Sequence, residues 1–441
     1  MAILNVTRHQ FTWGLTPLCF IFLCSTPIVQ TFLFSLAPFR VRRVCDGIST
    51  LTRDNIISII SHHSPYEQTN IFSNVDHGDP TIEKEESHIF SLPNVLLKNG
   101  FEQQNISIKH NTSLSETLSQ LQLASVLVPD SICGEGKVGI TFLHWRPYGD
   151  NERHFDENLP IILLLHGFDL SCLEFRRLGP LLASSGYHVL APDLLGWGFS
   201  QVQKIGDFSA KAKIEALVSF LHTIISRDSI GSNTGKYKLC VVGASLGAAV
   251  SVDLNVYLQD HSELSSCKRC ELEVTSSVWI SPQVFLDAYI LKYLPAWYAR
   301  LLIKLLKVPF LRRIVNSMSV HDRKWYYDPC GGEGDEVLML WTLQSQRQGW
   351  EEAHFSFMNR GGFSPTLNLE RVQKTPSLII GGKNDGILGN YFTKKLSSFL
   401  SDSTLVWVED CGHFPHEEKP LETAEVIAGF INNRQSRMPT M

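Results

Sequence analysis

Apolar and polar positions follow two different periods along this chain, and the change between them marks out its organisation. From Ser125 onward, short apolar runs alternate with longer stretches whose apolar residues recur three and four apart. The short runs predict strands and the longer stretches helices. Residues 124–128 and 138–145 read as two strands of a hairpin around Gly134 and Gly136. Residues 161–165 are five apolar side chains in succession, the pattern of a strand covered on both faces. A helix over 173–184, a strand over 188–191 and a helix over 209–225 follow. Then come strand 238–242, helix 246–258, strand 274–280, strand 377–380, helix 391–400, strand 404–408 and helix 421–432. Strands alternating with helices at this spacing predict βαβ units on a mostly parallel sheet flanked by helices.

The alternation stops between 283 and 365, after the sixth expected strand, and this insert has a helical pattern of its own. Over 291–318, Leu, Ile, Val and Phe recur at helical spacing beside Lys292, Arg300, Lys304, Lys307, Arg312 and Arg313. Such a helix either covers a substrate cleft with its apolar face or lies on an anionic membrane, and helical periodicity favours the cap. Gly331-Gly332-Glu333-Gly334 reads as a loop within it. The expected domains are therefore a core over 124–282, a helical cap over 283–365, the rest of the core over 366–434, and a tail over 435–441.

Before residue 124 the pattern differs. Residues 11–39 carry no charged side chain, Arg8 precedes them, Arg40, Arg42 and Arg43 follow, and the first acidic residue is Asp46. The stretch is long enough to span a bilayer, but Pro17, Pro27 and Pro38 interrupt it. A signal peptide, a membrane anchor and an organelle presequence all fit residues 1–45 as a leader. Residues 46–123 are polar with weak periodicity and read as a largely irregular linker. Asn105-Ile-Ser107 and Asn111-Thr-Ser113 are glycosylation sequons, meaningful only on the secretory route.

Composition narrows the function classes. Of 441 residues, 44% are hydrophobic and 19% charged, which is the balance of a folded globular protein. A formal charge of −5 lacks the basic excess of a nucleic-acid binder. Ten cysteines are too sparse for a disulfide scaffold in a chain of this length. Cys267-x-x-Cys270 reads as part of a surface loop, and His413 with His416 lacks the further ligands of a zinc site. No metal and no cofactor is expected.

Candidate chemistry gathers at the ends of expected strands. Gly243-Ala-Ser245-Leu-Gly247 follows one strand and opens a helix. A tight strand-to-helix elbow lifts the Ser245 hydroxyl above the sheet edge and needs small flanking residues. It also puts the Leu246 amide at a helix N-terminus, where negative charge is stabilised. His166-Gly167-Phe168 ends the strand 161–165, and the Phe168 amide is the candidate second donor to an oxyanion. Asp385, in Gly381-Gly-Lys-Asn-Asp385-Gly386, can orient an imidazole, with Asp193 and Asp169 as alternative acids less well placed. His413, in Cys411-Gly-His413-Phe-Pro415, is the candidate general base. The chain order Ser245, Asp385, His413 is that of one hydrolase architecture. The turn 193–200 is expected to be structural, with Gly196 and Gly198 at unusual backbone angles.

These segments, LLLHGF (163–168), DLLGWGFS (193–200), VVGASLGAA (241–249), GGKNDGI (381–387) and CGHFPHEEKP (411–420), resemble the α/β-hydrolase fold superfamily. HGFDLSCLEFRRLGPLL (166–182) with DLLGWGFS is similar to the plant and algal plastid-type members. The resemblance implies an α/β-hydrolase fold with a helical lid, a nucleophile at Ser245, an acid at Asp385, a base at His413, and oxyanion donors at Phe168 and Leu246. It argues against epoxide hydrolase and dehalogenase chemistry, which uses Asp where this chain has Ser245. The activity so implied is a cofactor-free serine hydrolase acting on carboxylic esters, lipid esters included, with an apolar acyl group as the small-molecule partner. An acyltransferase on the same residues, or a non-catalytic receptor of the same fold, is the alternative. A plastid location follows from the resemblance and the acid-free leader, with secretory or membrane-anchored placement as the other reading. Membrane contact through the leader or the basic cap helix and the oligomeric state stay open.

Overall fold

Ile161–Leu165 forms the strand β4 at the middle of the sheet, and all five of its side chains are buried. Ile161, Leu163 and Leu165 enter one hydrophobic cluster, while Ile162 and Leu164 enter another on the opposite face. An unbroken apolar run is what a strand covered on both sides requires. The computed structural model describes residues 90–91, 117–147, 155–156, 158–228, 235–261, 270–285, 292–308, 311 and 340–436. The leader, both sequons, the Gly331–Gly334 loop, most of the polar stretch 46–123 and part of the cap lie outside the described residues.

Among the described residues nine strands make one sheet: β1 (Phe90–Ser91), β2 (Gln122–Leu127), β3 (Lys137–Trp145), β4, β5 (Val189–Pro192), β6 (Gly235–Ala244), β7 (Cys270–Ile280), β8 (Ser377–Gly382) and β9 (Ser403–Val408). Their spatial order is β1-β2-β3-β5-β4-β6-β7-β8-β9. The pairs from β1 through β3 to β5 are antiparallel, and those from β5 to β9 are parallel. The expected hairpin is present, with Leu127 opposite Lys137 and Gly136 at φ 67°. This is the α/β-hydrolase fold.

Helices cover both faces. On one side lie α1 (Leu178–Ser184) and, near the C-terminus, α8 (Pro420–Gln435), whose Ala424, Ile427 and Ile431 pack with Leu178 and Leu182. On the other lie α2 (Ala210–Asp228) and α3 (Leu246–Asp260). The insert between β7 and β8, the segment expected as a cap, contributes α4 (Ala296–Leu306) and α5 (Trp350–Asn359). Trp350, Ala353, His354, Phe357 and Met358 form the buried stripe of α5, spaced as one face of a helix. The α-helices that remain among the described residues are α6 (Gly389–Phe399) and the single turn α7 (Pro415–Glu418).

Several boundaries differ from the sequence reading. The helix expected over 173–184 is a 3-10 turn, Cys172–Phe175, followed by the separate helix α1. Pro180 has no N–H to offer the carbonyl four residues back, so it is tolerated only in a helix's first turn. Strand β7 begins at Cys270, which is buried, so this cysteine is part of the sheet rather than of a surface loop. Cys267 lies outside the described residues. Within 46–123, Phe90–Ser91 pairs with β2, and Leu118 and Leu121 are buried. Among the described residues no helix is long and apolar enough to cross a membrane.

Candidate active site

Ser245 joins β6 to α3 with φ 51° and ψ −114°, a region a residue with a side chain rarely enters. Its flanking glycines are required sterically. A Cβ on Gly243 would stand 2.3 Å from the carbonyl oxygen of Gly247, and one on Gly247 would stand 2.0 Å from that of Leu165. The elbow is held on the sheet by the Ser245 amide, which donates to Ile280 O at 2.9 Å, and by Gln283 N, which donates to Ser245 O at 3.1 Å. The side chain is half-buried, and its hydroxyl makes no hydrogen bond among the described residues.

The ladder continues sideways. Ser281 N donates to Ile380 O at 2.8 Å, Lys383 N to Val408 O at 2.9 Å, and Asn384 N to Cys411 O at 2.9 Å. The carboxyl ends of β6, β7, β8 and β9 are thereby tied together, and the loops after them share one rim. Ser245, Asp385 and His413 all stand on that rim.

His413 Nδ1 lies 2.9 Å from Asp385 Oδ2, with side chains only 2% and 3% exposed. Burial alone would push the Asp385 carboxyl up. The charge and hydrogen bond of His413, with the amides of Ile387 and Leu388 donating to Oδ1 at 2.8 and 3.1 Å, outweigh it and hold the group below its usual value. Asp385 is thus kept ionised facing the imidazole, which fixes Nδ1 as the protonated nitrogen and leaves Nε2 as the basic one.

Two backbone amides near Ser245 are unused. Among the described residues neither Phe168 N nor Leu246 N finds an acceptor. Leu246 is the first residue of α3, where the helix dipole adds to the pull on an anion. Gly167, beside Phe168, approaches within 3.6 Å of the Ser245 Cβ, measured from an ideal Cβ on the glycine.

Comparison with known proteins fits this geometry. The sequence profile of the alpha/beta hydrolase family matches residues 162–426, which is more than half of the chain. The chain belongs to that family. It is 31% identical over 274 residues to the alpha/beta hydrolase domain-containing protein VTE7 of Arabidopsis thaliana, covering 62% of this chain and 74% of the relative. Lipase 3 of a Moraxella species is 23% identical over 292 residues, covering 64% of this chain and 80% of the lipase. Among solved structures, a thermophilic esterase from Thermogutta terrifontis superposes with a TM-score of 0.51 at 17% identity, over 71% of this chain and 98% of the esterase. As a member of the family the protein is a hydrolase of the α/β type.

The alternative acids do other work in this hydrolase. Asp193 is 1% exposed and accepts Cys172 N at 2.6 Å and Phe199 N at 2.7 Å, so it clamps the turn 193–200 to the chain after β4. Burial raises its carboxyl to about 6 against the pull of these donors. Gly196 and Gly198 have φ 78° and 52°, and a Cβ on Gly198 would stand 2.2 Å from the Asp193 carboxyl carbon. Asp169 is engaged by the cap.

Two supporting residues were not anticipated. His166 is fully buried, donates from Nδ1 to Gly167 O at 2.9 Å and accepts Leu194 N on Nε2 at 3.0 Å. Burial lowers it to about 4, so the ring is the neutral tautomer those two bonds need. Glu174, also buried, accepts Gly167 N at 3.0 Å, and burial pushes its carboxyl well up. The signal for Glu174 was a lone acid in an apolar run; nothing local marks His166, which read only as part of a turn. His416 is buried between Phe175 and Phe414, with Nε2 4.0 Å from Glu174 Oε1 and no hydrogen-bond partner for either ring nitrogen among the described residues.

Proposed function

We propose that the protein hydrolyses carboxylic esters through an acyl-enzyme on Ser245. The observation that carries this reading is a hydroxyl on a strained elbow beside two amides, none of which finds a hydrogen-bond partner among the described residues. His413 Nε2 takes the Ser245 proton as Oγ attacks the ester carbonyl. The carbonyl oxygen becomes an oxyanion, to which Phe168 N and Leu246 N donate. Asp385 stabilises the imidazolium without taking its proton. As the tetrahedral intermediate collapses, His413 gives that proton to the departing alkoxide. Water then attacks the acyl carbonyl, losing a proton to His413, and the carboxylic acid leaves as Ser245 recovers its proton.

The acyl group is apolar. Support comes from the aromatic side chains around the oxyanion candidate: Phe168 meets Trp197 edge-on at 5.5 Å within the core, and Trp197 meets Phe357 of α5 at 4.9 Å. A relative named as a lipase points the same way. The plastid is its proposed compartment, on the motif resemblance and the acid-free leader, and import of the labelled chain by isolated plastids tests that placement.

The experiment is hydrolysis of p-nitrophenyl esters from acetate to palmitate by the wild type, Ser245→Ala and His413→Gln. The wild type turns over with a preference for longer chains, and each variant loses about a thousandfold or more in kcat. Equal rates in Ser245→Ala would overturn the reading. Acyl transfer to added glycerol in preference to water would redirect it to a transferase.

A further inference from the structure

Asp169 directly follows the oxyanion candidate Phe168, and its buried carboxylate faces the cap. Trp350 Nε1 donates to its Oδ1 at 2.8 Å. His354 sets Nε2 3.0 Å from the same oxygen, off the line of a hydrogen bond. The side-chain amide of Gln344 donates to the Asp169 backbone carbonyl. All three partners belong to the insert between β7 and β8, and two of them stand on α5. His354 Nδ1 is itself tied to Trp350 O at 2.8 Å, and its ring meets Phe168 edge-on at 5.8 Å. The cap therefore holds both the residue carrying the candidate amide and the one after it.

The backbone of Asp169 has φ 54°, in the left-handed region. Asp tolerates such a conformation better than most residues with a side chain, and here Trp350, His354 and Gln344 of the cap help to hold it. The Phe168 N–H lies in the peptide it shares with the Gly167 carbonyl, which His166 Nδ1 grips on one side, and the Asp169 turn holds Phe168 on the other.

We propose that Asp169 is a positioning residue through which seating of α5 aims the Phe168 amide at the oxyanion. This rests on the reading of Ser245 as nucleophile. Cap and oxyanion site then act as one unit, and an acyl chain that seats α5 raises kcat rather than only lowering KM. Asp169→Gly keeps the left-handed turn free of strain but removes the anchor. Asp169→Asn keeps an oxygen for Trp350 Nε1 and a residue type that tolerates φ above zero. Trp350→Phe removes the indole donor together with part of the buried ring that packs on His354.

The test measures kcat and KM on p-nitrophenyl decanoate, together with affinity for a decyl trifluoromethyl ketone and for its matched secondary alcohol. The ketone forms an oxyanion on Ser245; the alcohol fills the same space without one. In Asp169→Gly, kcat and ketone affinity fall about tenfold to a hundredfold, while KM and alcohol affinity change less than about threefold. Trp350→Phe shifts the same two quantities by a smaller factor, and Asp169→Asn restores most of both. Thermal midpoints verify that each variant is folded. Wild-type kcat and ketone affinity in Asp169→Gly, or equal weakening of both ligands, would overturn the proposal alone. A wild type that forms no ketone adduct would overturn the Ser245 reading as well.

Discussion

His413 Nδ1 and Asp385 Oδ2 stand 2.9 Å apart although 28 residues separate them in sequence, and water is almost excluded from both. A carboxylate kept ionised in such a place costs desolvation, which two backbone amides and the imidazole offset. Asp385→Asn keeps the shape but loses the charge and lets the ring take the wrong tautomer. Its kcat falls by about 10⁴ with KM little changed. Steady-state kinetics and circular dichroism on the folded variant check this.

The elbow should show a conflict between stability and activity. Ser245 holds φ 51°, and strain of this kind costs about 1–3 kcal/mol. Ser245→Gly relieves it and Ser245→Ala does not, while both lose the hydroxyl. Chemical denaturation is expected to find Ser245→Gly more stable than Ser245→Ala by about 1 kcal/mol, with neither active.

Ser245, Asp385 and His413 were legible because each follows an apolar run that ends in glycine or a turn, so strand ends could be located without knowing their order in the sheet. The first halves of β6 and β7 were not legible. There Lys236 pairs with Glu271 at 3.3 Å and Glu273 at 3.2 Å across strands, and such charges look like loop until the partner strand is known. Strand β1 depends entirely on pairing with β2 some thirty positions later. Asp169 and Asp193 could be seen as candidate acids, but what they bind lies far along the chain. Their separation into cap anchor and turn clamp is tertiary information.

Glycine at the elbow admits little else. A Cβ on Gly247 would stand 2.0 Å from Leu165 O, backbone that cannot swing aside. Gly247→Ala therefore destabilises by about 3 kcal/mol or more. Gly429→Ala, at a half-buried position of α8 where a Cβ meets nothing within 4 Å, is stabilising by about 0.5–1 kcal/mol. Urea midpoints of the two variants against wild type measure the contrast.

Acid should weaken the fold. Burial lowers His166 to about 4, His144 to about 3 and His416 to about 3, against 6.5 for a free imidazole. Between those values the unfolded chain binds more protons, so stability is full above about pH 6.5 and is lost as pH falls toward 4. Asp385, held low, is lost in the same direction. Asp193, raised to about 6, and Glu174, raised further, act oppositely and offset part of the loss. The urea midpoint is expected to be lower near pH 4.5 than near pH 7 by about 0.5 M or more. An unchanged midpoint would show that these rings are not buried as neutral groups.

A nucleophile at Ser245 requires that one hydroxyl be activated among the many serines of this chain. Treatment of the folded protein with a fluorophosphonate, followed by peptide mass spectrometry, measures that directly. One phosphonyl group is expected, on the peptide carrying Ser245, with labelling lost in Ser245→Ala and slowed in His413→Gln. No adduct on the folded wild type, or an adduct on another residue that persists in Ser245→Ala, would contradict it.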